Sequence, residues 1–153
     1  MAAIVYDSVY GNTRQVAEAM AAALPGGRAL DMQAARGLVL GDGEALILGS
    51  PTRGFSATPA MTEFIAGLRP ADLEGRTVAV FDTRLAPEAI RLAPLRWIVD
   101  TGGYAAQRMA HALGHKGVAG DIPQEGFMVL DTEGPLKAGE LARAAQWAQG
   151  VAG

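Results

Sequence analysis

Short apolar runs alternate with helix-forming stretches along this chain, and that alternation restricts the fold more than any other feature. Residues 3–6, 28–31, 45–49 and 77–81 read as strands. The runs at 45–49 and 77–81 are apolar throughout, the pattern of strands covered on both faces. Residues 13–24 read as an amphipathic helix with Val16, Ala17, Met20 and Leu24 on one side; Pro25-Gly26-Gly27 stops it. Thr58-Pro59 marks a second helix start, with Thr as cap and Pro at the first helical position, and Met61, Phe64, Ile65 and Leu68 facing inward. Arg69-Pro70 ends it. Residues 33–40 read as a short helix or a loop. Pro87 and Pro94 argue against one helix across 86–100, since an interior proline costs about 3 kcal/mol. The expected arrangement there is a loop over 82–93 and a helix over 94–100 carrying Leu95, Ile98 and Val99. Residues 104–111 are a candidate fifth strand and 113–126 a loop; 127–130 continues the fifth strand or adds a small one. A last helix spans 140–149, with Leu141, Ala144, Ala145 and Ala148 facing in. Strands alternating with helices imply an α/β fold, a three-layer, doubly wound, five-stranded parallel sheet. Its expected order is 2-1-3-4-5, with ligands bound beyond the C-terminal strand ends, at the switch between strands one and three.

The 153 residues suffice for a single domain over 1–153 and not for two. Half are hydrophobic and 19% charged, which excludes a disordered chain. A net charge of −3 argues against nucleic-acid binding. Without cysteine there is no disulfide, thiolate metal site, Fe–S cluster or cysteine nucleophile. No apolar stretch approaches the ~20 residues that span a bilayer. The chain opens on a strand and not on a secretory signal, so the expected compartment is the cytoplasm.

The strand at 3–6 runs through Asp7 into Ser8-Val9-Tyr10-Gly11-Asn12-Thr13, and a helix follows at once. No residue from Ser8 to Thr13 is charged. Such a loop can hold a phosphate with backbone N–H groups, hydroxyls and the positive end of the helix dipole. Ser8, Tyr10, Asn12 and Thr13 are candidate donors, and Gly11 lets the backbone approach closely. The loop lacks the Walker A lysine and the G-x-G-x-x-G dinucleotide fingerprint. It resembles the FMN-phosphate loop of the flavodoxin family, usually written [ST]-x-[TY]-G-N-T. That resemblance implies the flavodoxin-like order 2-1-3-4-5 and FMN as cofactor. It also implies electron transfer between redox partner proteins, a reductase and an acceptor.

Two more loops would meet the first at the same sheet edge. Pro51-Thr52-Arg53-Gly54-Phe55-Ser56-Ala57 follows Ser50 and resembles the flavodoxin loop that covers the isoalloxazine ring. By that resemblance Gly54 offers a peptide to flavin N5, and Phe55 either stacks on the ring or is structural. The third loop begins at Asp82-Thr83-Arg84. The family's counterpart gives backbone N–H groups to the flavin and usually an outer aromatic, yet no aromatic follows Phe81 until Trp97. Asp82 and Arg84 either contact the flavin or pair with each other or Arg53. Phe81-Asp82-Thr83-Arg84 and the run Gly134-Pro135-Leu136…Gly139-Glu140-Leu141 are similar to a small subset of flavodoxin-domain proteins. The alternative functions are an FMN-dependent reductase or oxidase of a quinone or other small acceptor, protoporphyrinogen-oxidase-like activity included, and a flavin-free regulatory domain. The chain is expected to be a monomer or weak dimer without a nucleic-acid partner. His111 and His115, four apart, read as two solvated loop histidines more than as a metal pair. A receiver-domain reading fails because Gly49-Ser50 stands where a phosphoacceptor aspartate would end strand three. No G-x-S-x-G elbow supports a hydrolase.

Overall fold

A computed structural model describes residues 1–53, 55–89 and 103–153. The expected helix over 94–100, Trp97 and Gly54 lie outside the described residues. The elements are β1 (Ala2–Tyr6), α1 (Asn12–Ala23), β2 (Gly27–Asp31), β3 (Ala45–Pro51), α2 (Pro59–Gly67), α3 (Pro70–Leu73), β4 (Val78–Leu85), a 3₁₀ turn (Pro87–Ala89), α4 (Ala105–His115), β5 (Gln124–Val129) and α5 (Glu140–Ala152). The five strands form one parallel sheet in the order β2-β1-β3-β4-β5.

Side chains alternate across the sheet and build a core on each face. Val5, Leu46, Leu48 and Val80 meet Met61 and Ile65 of α2 and Met109 and Leu113 of α4. Ile4, Ile47, Ala79, Phe81 and Phe127 meet Val16, Ala17 and Met20 of α1 and Ala144 and Ala148 of α5. Phe127 packs edge-to-face with both Phe81 and Trp147, at centroid distances of 6.0 and 6.2 Å. Gly49 is required beneath this group, because a Cβ there would fall inside the Phe81 ring. Thr58 caps α2 as expected, its hydroxyl accepting from the Met61 N–H.

Four sequence expectations change. Strand β4 runs on to Leu85, so Asp82, Thr83 and Arg84 are strand residues paired with β5 and not the start of a loop. Of residues 104–111, Tyr104 is an extended N-cap and 105–111 are helical: Ala105, Ala106, Met109 and Leu113 are buried at helical spacing along α4. The fifth strand is Gln124–Val129, within and beyond the expected loop. In α5 the buried positions are Glu140, Ala144 and Ala148, which turns Leu141 outward to 41% exposure. Residues 33–40 carry turns and no regular helix, and Pro70–Leu73 adds a short helix not foreseen.

Candidate functional site

At the C-terminal edge of the sheet, a cleft of about 220 Å³ opens at the switch between β1 and β3. Val9, Tyr10, Asn12 and Thr13 form one wall, and Pro51, Thr52 and Arg53 another. Thr83, Arg84 and Leu85 of β4, Val129 of β5 and Thr132 complete it.

The first wall is a helix N-terminus with its donors left open. Gly11 takes φ 92°, and a Cβ there would meet nothing within 4 Å. The Ser8 hydroxyl accepts from the N–H groups of Gly11 (3.1 Å) and Arg14 (3.3 Å) and so shapes the turn. Among the described residues nothing accepts from the backbone N–H of Val9, Tyr10, Asn12 or Thr13. Unpaired N–H groups at a helix start attract an anion through the helix dipole and direct hydrogen bonds. Asp7, the carboxylate that precedes the loop in sequence, accepts from its neighbour's N–H and lines a separate hollow with Tyr6, Arg14 and Glu18. Thr13 is buried, and its hydroxyl meets that of Thr83 at 2.8 Å, tying α1 to β4 at the cleft floor. Asn12 donates to the Glu133 carbonyl at 3.2 Å, which holds the loop after β5 against the helix start. Gly134, at φ 108°, makes that approach possible, since a Cβ there would sit 2.7 Å from Asn12 Oδ1.

The wall from β4 is built around Arg84. Its Nε and Nη2 donate to the two Asp82 carboxylate oxygens, both at 2.7 Å. Its guanidinium lies 3.6 Å from the centre of the Tyr104 ring. Gly126 on β5 leaves the space for it: a Cβ there would collide with Arg84 Nε and Cζ. Asp82 is fully buried and also accepts from the Ala106 N–H at 2.9 Å. Burial pushes its carboxyl pKa up, against the opposing pull of Arg84 and the Ala106 N–H. The Thr52 hydroxyl accepts from the Ala105 N–H at 3.0 Å, so Thr52, just past β3, and Asp82 of β4 together cap the start of α4. Arg53 is exposed, with its Cζ 6.0 Å from the Tyr10 ring centre. A turn after β3 is closed by paired Arg53–Ser56 backbone hydrogen bonds of 2.8 and 3.1 Å. Phe55 sits in that turn at φ 67°, a strained conformation for an aromatic residue.

With this geometry a comparison with known proteins is informative. The family model described as flavodoxin domain matches residues 3–121. The chain belongs to the flavodoxin-domain family. No curated protein matches it. Flavodoxin 1 of Bacillus cereus is 15% identical, with a TM-score of 0.64 over 96% of this chain and 93% of that one. A Fusobacterium nucleatum flavodoxin bound to flavin mononucleotide gives 15% identity and a TM-score of 0.59 over 97% and 95%. The rubredoxin oxygen:oxidoreductase of Desulfovibrio gigas gives 17% and 0.67, with 99% of this chain covering 35% of that chain. This flavodoxin domain thus spans about a third of the D. gigas protein. Likeness at these identities concerns the fold.

The flavodoxin domain gathers most of the residues singled out in the sequence. Val9, Tyr10, Asn12, Thr13, Pro51, Thr52, Arg53, Thr83 and Arg84 all line the cleft. Ser8 and Gly11 shape its first wall from behind. Asp82 points away into the core and reaches the cleft only through Arg84, the pairing that was one of its two expected roles. Phe55 is half-buried outside the lining residues. Leu85, Val129 and Thr132 were missed. The apolar run after Gly126 was visible, but only its register against β4 brings Val129 opposite Leu85. Among the described residues no helix is long and apolar enough to cross a membrane.

Proposed function

We propose that this flavodoxin domain binds FMN in the cleft and carries electrons between a reductase and an acceptor protein. The observation that carries the reading is the uncharged loop Ser8–Thr13 that opens α1, with the N–H groups of Tyr10, Asn12 and Thr13 unpaired by any described residue. These donors suit a phosphate monoester, whose charge they balance without a lysine. The Thr13 and Thr83 hydroxyls, hydrogen-bonded to each other, leave one O–H free to extend the donor set into the cleft. Arg84, immobilised by Asp82, retains the Nη1 donors that no described residue takes, and these suit a carbonyl or anionic edge of a ring. Tyr10 offers an aromatic surface at the rim, 46% exposed. When bound, the flavin supplies reversible one- and two-electron chemistry; the chain binds it, orients it and sets the charge around it.

The test is acid extraction of the purified protein after incubation with FMN, with chromatographic identification of what is released. FMN at one per chain is expected. FAD, or no flavin, would overturn the reading. Steady-state oxidation of NAD(P)H with a quinone would replace the carrier by a reductase, and a carrier shows none.

A further inference from the structure

At the far end of α4 from the cleft stand the chain's two histidines, His111 and His115. They are one turn apart on the same helix face, and both are exposed. Their Nε2 atoms approach to 3.1 Å, and their ring centres lie 4.5 Å apart with the planes at 81°. Two explanations compete for this geometry. A near-linear N–H···N hydrogen bond between the rings would hold the ring centres more than about 5 Å apart. Two lone pairs converging on one point hold them closer. Metal–nitrogen bonds of about 2.0–2.1 Å, at ligand angles from roughly 90° in square-planar sites to about 109° in tetrahedral ones, put the nitrogens about 2.8–3.4 Å apart. The observed 3.1 Å falls in that range, and the 4.5 Å ring separation makes the hydrogen bond between the rings a bent one, with both Nε2 atoms turned toward a shared point.

We propose that His111 and His115 form a two-imidazole chelate for a divalent transition metal of the copper, nickel or zinc class. The surroundings select that class. Two neutral imidazoles favour these ions over magnesium or calcium, which demand oxygen ligands. Among the described residues no third histidine or carboxylate joins the pair. Positive side chains are close in sequence: Arg108 one turn before His111, and Lys116 after His115, its ammonium donating to the Ala66 carbonyl at 2.6 Å. Simple charge attraction therefore does not account for binding here, and nitrogen donation does. His115 closes α4, where the negative end of the helix dipole favours a cation. The remaining coordination positions open to solvent and are filled by water or a ligand from solution. At about 1.5 Å per residue, α4 places His111 and His115 roughly 9 and 15 Å along its axis from its own N-terminus at the cleft. Metal binding and flavin loading are therefore separately testable.

The experiment titrates the untagged chain, at neutral pH, with Cu²⁺, Ni²⁺, Zn²⁺ and Mg²⁺ as simple salts, by calorimetry. One ion per chain is expected, tightest for Cu²⁺, with no heat from Mg²⁺. Each of His111→Ala and His115→Ala is expected to weaken Cu²⁺ and Zn²⁺ at least tenfold, because either loss destroys the chelate. Zn²⁺ is expected to shift both imidazole proton signals of the parent together in its NMR spectrum, where only two histidines contribute. The metal is also expected to raise the parent's thermal midpoint and not that of the variants. Unchanged affinity in either variant, a shift in one imidazole only, or equal binding of Mg²⁺ would overturn the proposal.

Discussion

Gly126→Ala is the sharpest test of how the cleft wall is built. Strand propensity alone says that alanine should improve on glycine by roughly 0.5–1 kcal/mol. The structure says the reverse. The new methyl would occupy the space of Arg84 Nε and Cζ, and the guanidinium must leave. Its departure breaks the bidentate bond to Asp82 and the contact with Tyr104. Asp82 stays behind, fully buried, with only the Ala106 N–H. Separating a buried pair by removing one partner costs about 3–5 kcal/mol. Arg84 is 19% exposed, so water recovers part of that, and a net loss of about 2–4 kcal/mol is expected. Arg84→Ala alone should cost a similar amount. Urea denaturation of the parent, both single variants and the double variant closes a thermodynamic cycle. In the Arg84→Ala background, Gly126→Ala should cost about 0.5 kcal/mol or less, giving a coupling of about 2 kcal/mol or more. Equal cost in both backgrounds, or stabilisation in the parent, would refute the claim that Gly126 exists to seat Arg84.

Three further outcomes are expected. Thr13→Val should weaken FMN by about 1–3 kcal/mol, the worth of a hydrogen bond to a charged group, and leave riboflavin affinity unchanged; equal losses for both ligands in fluorescence titration would show that Thr13 does not serve the phosphate. Phe55→Gly relieves a positive φ and should stabilise the apo protein by about 0.5–1 kcal/mol in urea; a concurrent loss of FMN affinity would assign Phe55 to the flavin, and unchanged affinity would leave it structural. Glu44 is buried, and its hydrogen bonds from Arg28 hold its carboxyl below the ordinary 4.5. Its stabilising contribution is therefore complete above pH 4.5 and declines as pH falls through the lower folded value. Stability measured across that acid range should fall less steeply in Glu44→Gln, and an unchanged slope would remove Glu44 from the account.

The first wall of the cleft could be read directly from the chain because all its determinants are local. Ser8 to Thr13 are consecutive, and a strand that ends in an uncharged turn and restarts as a helix leaves the same N–H groups open in any surroundings. The parallel sheet followed from the strand–helix alternation, its order from the family resemblance of the loops, and the Thr58-Pro59 helix start from a cap and its hydrogen bond three residues on. Tertiary structure decided what depended on partners distant in sequence. Strand β4 continues through Asp82, Thr83 and Arg84 because β5 pairs with it there, some 40 residues later. Segment 105–111 is a helix because Thr52 and Asp82 take the N–H groups at its start and the core takes Met109 and Leu113. Asp82 looked like a cleft residue, but it shares its sheet face with Arg84 and lies two residues deeper along β4 beneath the start of α4, so Arg84, nearer the strand's end, reaches the site. The convergence of the two histidines likewise waited on that helix, since spacing four becomes proximity only at 3.6 residues per turn. Local chemistry was legible in the order of the residues; facing, pairing and burial were set only once the strands had found their neighbours.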